Sequence, residues 1–299
     1  VDVWLPSRLN RATMYGLINE VLDQDKEPRS GDIRFIFNDL FFIEPVGVTV
    51  LSNITQWLFH KKVRVTYAYP SIQQFAFKQA LCFLDDSQYF KQYTGNSVRK
   101  TASVRDTTIP LELVSVNASY QWFDKVMVWL AGRINVTVES LANIKMSLQE
   151  IFNNINDHST QHIGSAFIQH FPQKNTVSIA ISDFGVGIPF NIQNIHPSLN
   201  DASALEKSVE QGFSTKSSPR NRGAGLDTLI YNVVKNNQGC VYIHSNYGIL
   251  KCKLADNNII ELESKMTSVF YPGTLIEVNL RTDTIENIVD DEEDFEWDF

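Results

Sequence analysis

Asp183-Phe184-Gly185-Val186-Gly187-Ile188-Pro189 follows an apolar, alternating run over residues 176–182 that reads as a strand entering a core. An aspartate at a strand end, followed by two glycines one residue apart, lets the backbone turn sharply and pass close to a ligand. The same pattern also closes ordinary strand-to-loop turns. Its meaning depends on what stands before and after it.

Before it, apolar periodicity predicts a helix over residues 137–156. Glu150, Asn154, Asp157 and His158 fall at i, i+4, i+7 and i+8 and share one face, while Leu148, Ile151, Phe152 and Ile155 supply the apolar positions. A carboxylate there can orient or deprotonate an attacking hydroxyl or water, and a neutral amide oxygen can hold Mg²⁺ without neutralising it. His158 and His162 are also four apart, but Ser159 stands where a zinc-protease motif needs glutamate, so the pair reads as capping or core histidines.

Glu150-x-x-x-Asn154, Asp183-x-Gly185-x-Gly187, Gly223-Ala224-Gly225-Leu226 and Gly273-Thr274 stand in the order and approximate spacing of the GHKL ATPases. Residues 136–280 thus resemble the superfamily that joins gyrase B, the large heat-shock chaperones, histidine kinases and mismatch-repair ATPases. The resemblance implies a two-layer α/β sandwich of the Bergerat type, a mostly antiparallel sheet backed by helices, with ATP and Mg²⁺ as cofactors. It implies Glu150 as catalytic base, Asn154 as the Mg²⁺ ligand, and Asp183 as acceptor of a hydrogen bond from the adenine amino group. Gly185 and Gly187 would let the backbone pass close to the base, and Thr274 would hydrogen-bond near the adenine. Gly223, Ala224, Gly225 and Leu226 would meet the phosphates at the start of a helix over residues 226–234, where the helix dipole favours anions. Residues 190–222 correspond to a lid, within which Gln211-Gly212-Phe213-Ser214-Thr215-Lys216 looks like the S-T-K segment of many such lids. Lys216, Arg220 and Arg222 are candidate phosphate cations there, with an ordinary solvated role equally open. Asp157 suits the chaperone and mismatch-repair branch and His158 the anti-sigma kinases, so this helix assigns no branch.

Towards the N-terminus, helix over 11–22, strand over 33–39, helix over 46–59, strand over 63–69 and helix over 72–84 alternate, which indicates an α/β layer with a parallel strand pair. The layout over 32–84 resembles a STAS domain, as in the anti-anti-sigma factors, with Phe42-Ile43-Glu44-Pro45-Val46-Gly47 at the regulatory segment. The resemblance would put a phosphorylated serine or threonine there; Pro45 and Val46 carry no hydroxyl, so a scaffold or docking role is expected instead. Residues 91–110 read as a polar linker with four basic side chains, Lys91, Arg99, Lys100 and Arg105. Residues 120–134 form a helix with Trp122, Phe123, Val126, Trp129 and Leu130 on one face, and alternation predicts strands over 241–245, 250–254 and 275–280, the first two joined by a turn at Asn246-Tyr247-Gly248. The resulting division is a STAS-like region over 1–115, an ATP-binding region over 116–285 and an acidic tail over 286–299.

The chain has 299 residues, 43% of them hydrophobic, enough for packed cores, and a net charge of −8. Eight of its acidic residues lie in the last fourteen positions; 34 less 8 leaves 26 acidic against 26 basic, so the body is neutral and a general nucleic-acid surface is not indicated. Phe295, Trp297 and Phe299 interrupt that tail and leave open either a solvated end or a docking segment. No run approaches a membrane span and no secretory pattern opens the sequence, while Cys82, Cys240 and Cys252 are too few and scattered for a disulfide framework, so a reduced, cytoplasmic protein is expected. The resulting expectation is a slow ATPase whose lid and domain rearrangement regulates a protein partner, engaged through the STAS-like region or the tail, with a homodimer plausible by analogy. A serine/threonine kinase acting in trans and a nucleotide-gated binding protein are the alternatives.

Overall fold

The structure is a computed structural model that describes residues 1–113, 119–158, 163–212 and 225–288, with side chains of residues 119, 120 and 153–158 excepted. Strands β6 (Thr108–Leu113), β7 (Gly164–Phe171), β8 (Thr176–Asp183), β9 (Cys240–Leu254) and β10 (Ile260–Arg281) form one antiparallel sheet in the order β6-β7-β8-β10-β9. Along β8 the side chains separate by parity. Val177, Ile179 and Ile181 pack with Phe123, Leu148 and Ile151, which come from α6 (Ser119–Ile134) and α7 (Ala142–His158). Ala180, with Phe167 and Leu275 from the neighbouring strands, joins the core of the N-terminal region.

The chain is therefore mixed α/β around an antiparallel sheet, as expected, but a third layer lies on the sheet face opposite α6 and α7. That face is apolar at Phe167, Ala180 and Leu275, each fully buried, and must be covered. The cover is α2 (Pro45–His60), an almost wholly buried helix that crosses β7 and β8. A helix buried on nearly every side belongs between two layers. On its far side lies a parallel sheet of β1 (Asp2–Trp4), β3 (Asp32–Ile36) and β5 (Arg64–Ala68); the short β2 (Arg8–Leu9) and β4 (Phe42–Ile43) pair in parallel with each other, and α1 (Met14–Val21) lies between β2 and β3 in the chain.

Polar contacts also tie this layer to the sheet, among them two sets at α2 and Arg11. Asn53 of α2 is fully buried; its amide donates to Ser182 Oγ and its Oδ1 accepts from Ser165 Oγ, both at 2.7 Å, while Ser165 Oγ also lies 3.1 Å from Thr49 O. Arg11 pairs with Glu277 of β10 at 2.7 Å and lies over the Tyr242 ring at 4.2 Å.

Several local expectations are corrected. The helix expected over 72–84 is two, α3 (Ile72–Phe77) and α4 (Gln79–Asp86), because Lys78 between them is extended at ψ 98°. The polar linker over 91–110 begins as α5 (Tyr89–Thr94), ends inside β6, and is anchored in between. Arg99 reaches Asp85 at 3.3 Å and also Asp86, Arg105 reaches Asp86 at 3.0 Å, and the backbone N–H groups of Val98 and Arg99 donate to Asp85, whose side chain is buried. Two adjacent acids near the end of α4 attract that charge; the basic composition of the loop does not reveal them. The turn predicted at Asn246-Tyr247-Gly248 lies inside β9, since residues on both sides pair with β10, and the chain reverses at residues 255–259. Asn246 takes a left-handed φ of 52°, and the pairing shifts register beside it.

Candidate functional site

Asp183 ends β8 between Gly164 of β7 and Thr274 of β10. Its side chain is buried, and its Oδ1 accepts the Gly185 N–H at 2.6 Å, so the chain folds back on its own carboxylate as it leaves the sheet. Burial raises the carboxyl from 3.8 to about 7; the Gly185 N–H, then the charge of Lys26, then the Thr274 N–H act the other way without cancelling it. A carboxyl at the C-terminal end of a buried strand with so displaced an affinity for protons is a candidate functional group.

Two glycines shape its surroundings. Gly187 sits at φ 86°, where a Cβ would meet Asn246 Oδ1 at 2.7 Å and Ser245 Oγ at 2.8 Å. Gly273 sits at φ 142°, where a Cβ would meet Gly185 N at 2.7 Å and Phe184 Cα at 2.8 Å. The Asp183 loop and the β10 strand therefore approach within a distance no side chain tolerates. Ser245 ties the two together: its Oγ donates to Gly273 O at 2.8 Å, accepts from Ile188 N at 2.9 Å, and lies 3.0 Å from Thr274 Oγ1. With the Ser245 proton committed to Gly273, Thr274 is the donor in the last contact and keeps its oxygen lone pairs as acceptors. Asn246 adds a bond from Nδ2 to Val186 O at 3.3 Å, and its own carbonyl lies 3.1 Å from His244 Nε2.

The structure brings Asp183, Gly185, Gly187 and Thr274 together at one end of the β8–β10 pair. Glu150 is half-buried on α7, which packs on the sheet face that Val177, Ile179 and Ile181 share. Asn154 lies one turn further along the same helix, and its side chain is outside the described residues. Gly225 precedes α10 (Leu226–Ile230), which continues as a π-helical turn over Tyr231–Asn236, so the predicted helix start is found and its end moves from 234 to 236. Leu226 is buried in the core beneath. Lys216, Arg220, Arg222, Gly223 and Ala224 lie outside the described residues, as do the side chain of His158 and all of His162. Of the expected lid, α8 (Ile188–Gln193) and α9 (Asp201–Ser208) are helical.

Three contributors were not legible from motifs: Ser245 and Asn246, read as a strand end and a turn, and Lys26, from the distant N-terminal region. Asn followed closely by Gly after a strand carries the signal for a left-handed residue, but a bulge and a turn look alike at that level. Among the described residues no group of three or more His, Cys, Asp or Glu is placed to hold a metal. Gly187 and Gly273 thus let the Asp183 loop, Ser245, Asn246 and β10 close on one another beside the buried carboxyl of Asp183. No family model matches the chain, and a search of curated proteins finds no match. No helix among the described residues is long and apolar enough to cross a membrane.

Proposed function

We propose that the chain is a GHKL-type ATP-binding protein that hydrolyses ATP slowly and uses the accompanying rearrangement to regulate a protein partner. The observation that carries the reading is Asp183, a buried carboxyl raised to about 7, at a strand end where Gly187 and Gly273 let the following loop and β10 approach more closely than any side chain allows. The Gly185 and Thr274 N–H groups and the charge of Lys26 do not cancel the effect of burial on this carboxyl, so a further donor would favour it, and the amino group of adenine is such a donor. Thr274, with acceptor capacity to spare, sits opposite Asp183 in register to fix the ring directly or through water.

Mg²⁺-ATP brings the phosphoanhydride bond that is broken. Asn154 would hold the cation through its amide oxygen, and Glu150, four residues earlier on α7, would take a proton from the attacking water. Gly225 at the start of α10, with Gly223 and Ala224, would present backbone N–H groups to the phosphates. The N-terminal region, packed on the other face of the same sheet, is the element a rearrangement would move, and it or the acidic tail would meet the partner.

Incubation with γ-labelled ATP separates the possibilities. Free phosphate that disappears in Glu150→Ala while ATP binding persists supports hydrolysis with Glu150 as base; label transferred to a protein supports the kinase alternative. Unchanged ATP affinity in Asp183→Asn refutes the site.

A further inference from the structure

A side chain from the N-terminal region enters the loop that follows Asp183. Residues 23–27, between α1 and β3, form a tight turn in which Asp23 Oδ1 accepts the N–H groups of Asp25 and Glu27, each at 2.9 Å. Lys26 in this turn takes a left-handed φ of 64°, unusual for a residue with a Cβ. Both of its ends are held. Its carbonyl accepts from Trp57 Nε1 of α2 at 2.7 Å, and its ammonium donates to Gly185 O at 2.7 Å. Beside it Glu27 pairs with Lys61 at 2.6 Å, and the Trp57 ring meets Phe184 edge-on at 6.3 Å between centroids.

We infer that Lys26 is a positioning residue of the nucleotide site: its ammonium fixes the Gly185 carbonyl and stands as the counter-charge to Asp183, so that seating of the 23–27 turn sets nucleotide affinity. The inference rests on the reading that Asp183 receives the adenine amino group. Gly185 is bound from two sides, its N–H by Asp183 and its carbonyl by Lys26, so displacing Lys26 frees the residue that orients the carboxylate. The charge matters separately. Lys26 lies half-buried, with its own pKa lowered by burial and supported by Asp183, while Asp183 is favoured as a carboxylate by Lys26. Tyr271 is a further titratable neighbour of Asp183, its phenol pushed upward by burial and, less, by the Asp183 charge; it supplies no positive charge. The remaining groups acting on Asp183 are the Gly185 and Thr274 N–H. A motif search confined to the ATPase-like region misses this contribution, because Lys26 precedes Gly185 by 159 residues.

The test uses the full chain. ATP affinity is measured by calorimetry from pH 5.5 to 8.5 for wild type, Lys26→Met and Lys26→Arg, and the Asp183 carboxyl is titrated without nucleotide by carbon NMR. Lys26→Met is expected to weaken ATP binding about tenfold, equivalent to about 1.4 kcal/mol, and to move the midpoints of both titrations to higher pH; Lys26→Arg is expected to restore most of each. Lys26→Gln, which keeps a donor and loses the charge, replaces the Met variant if that one fails to fold, and is expected to keep the midpoint displacement. Affinity within twofold of wild type with an unmoved carboxyl midpoint overturns the inference and leaves the nucleotide reading standing. Absence of ATP binding by the wild type overturns the nucleotide reading and the affinity claim with it, whatever the carboxyl does.

Discussion

Replacing Asp183 by Asn is expected to stabilise the nucleotide-free protein in alkaline solution while impairing its ligand binding. The carboxyl titrates at about 7 in the folded protein against 3.8 as a free side chain. Between these values the unfolded chain has released the proton that the folded chain still holds, so stability falls as pH rises from about 4 to about 7, the reverse of a salt-bridged aspartate. About three pH units correspond to about 4 kcal/mol of stability present at pH 4 and absent at pH 8. Asparagine does not titrate; its Oδ1 can still accept from Gly185, but its amide places two donors where a carboxylate oxygen stood, at a cost of about 1–3 kcal/mol. The variant should therefore be less stable than wild type near pH 4.5 and more stable by about 1–3 kcal/mol near pH 8. Urea denaturation at four pH values without nucleotide reads this as a midpoint difference that changes sign. A difference that is the same at pH 4.5 and pH 8 would refute the assignment of a raised carboxyl to Asp183. Such a trade of stability for a polar group in an apolar setting is common at functional sites.

Gly273→Ala drives a Cβ into the backbone of residues 183–185 at a φ of 142°, so it should cost about 2–4 kcal/mol and reduce ATP affinity more than tenfold, read by thermal denaturation and calorimetry. Asn53→Leu removes the bonds to Ser165 and Ser182, whose hydroxyls keep Thr49 O and the Tyr271 hydroxyl respectively; a loss of about 1–3 kcal/mol in chemical denaturation is expected, and no loss would mean that these polar contacts do not fix the N-terminal layer. Truncation after Ile288 should leave stability and ATP binding unchanged. Truncation after Ile285 removes the bonds from Thr137 N to Asn287 Oδ1 at 2.9 Å, Thr137 Oγ1 to Ile288 O at 2.8 Å and Ile288 N to Ser140 Oγ at 2.8 Å, and should cost about 1–2 kcal/mol without loss of ATP binding.

Sequence periodicity located α1, α2, α6, α7, β3, β5 and β8 to within a few residues, because each carries an apolar face at its own period. β7 carries no such mark: Ala166 and Ile168 face one layer and Phe167 the other, so both faces are apolar, whereas β8 alternates Val177, Ile179 and Ile181 with Ser178, Ala180 and Ser182. At the site, Asp183, Gly185, Gly187 and Thr274 were legible because they lie in short local motifs, and the register of β8 with β10 brings them together. Lys26 and Ser245 were not, since their roles depend on tertiary approach. Arg99 and Arg105 show the same limit, as a charged loop reads as solvated until the acids opposite are known.

Ser182 and Asp183 are consecutive, yet Ser182 belongs to the seam with Asn53 and Asp183 to the candidate site. A pleated strand sends neighbouring side chains to opposite faces, so the separation between the N-terminal layer and the site along the chain is a single peptide unit, ~3.8 Å between Cα atoms. Any rotation of that unit changes both sides at once. The strand would then act as a common axle, and coupling between the two faces would need no chain of intermediates.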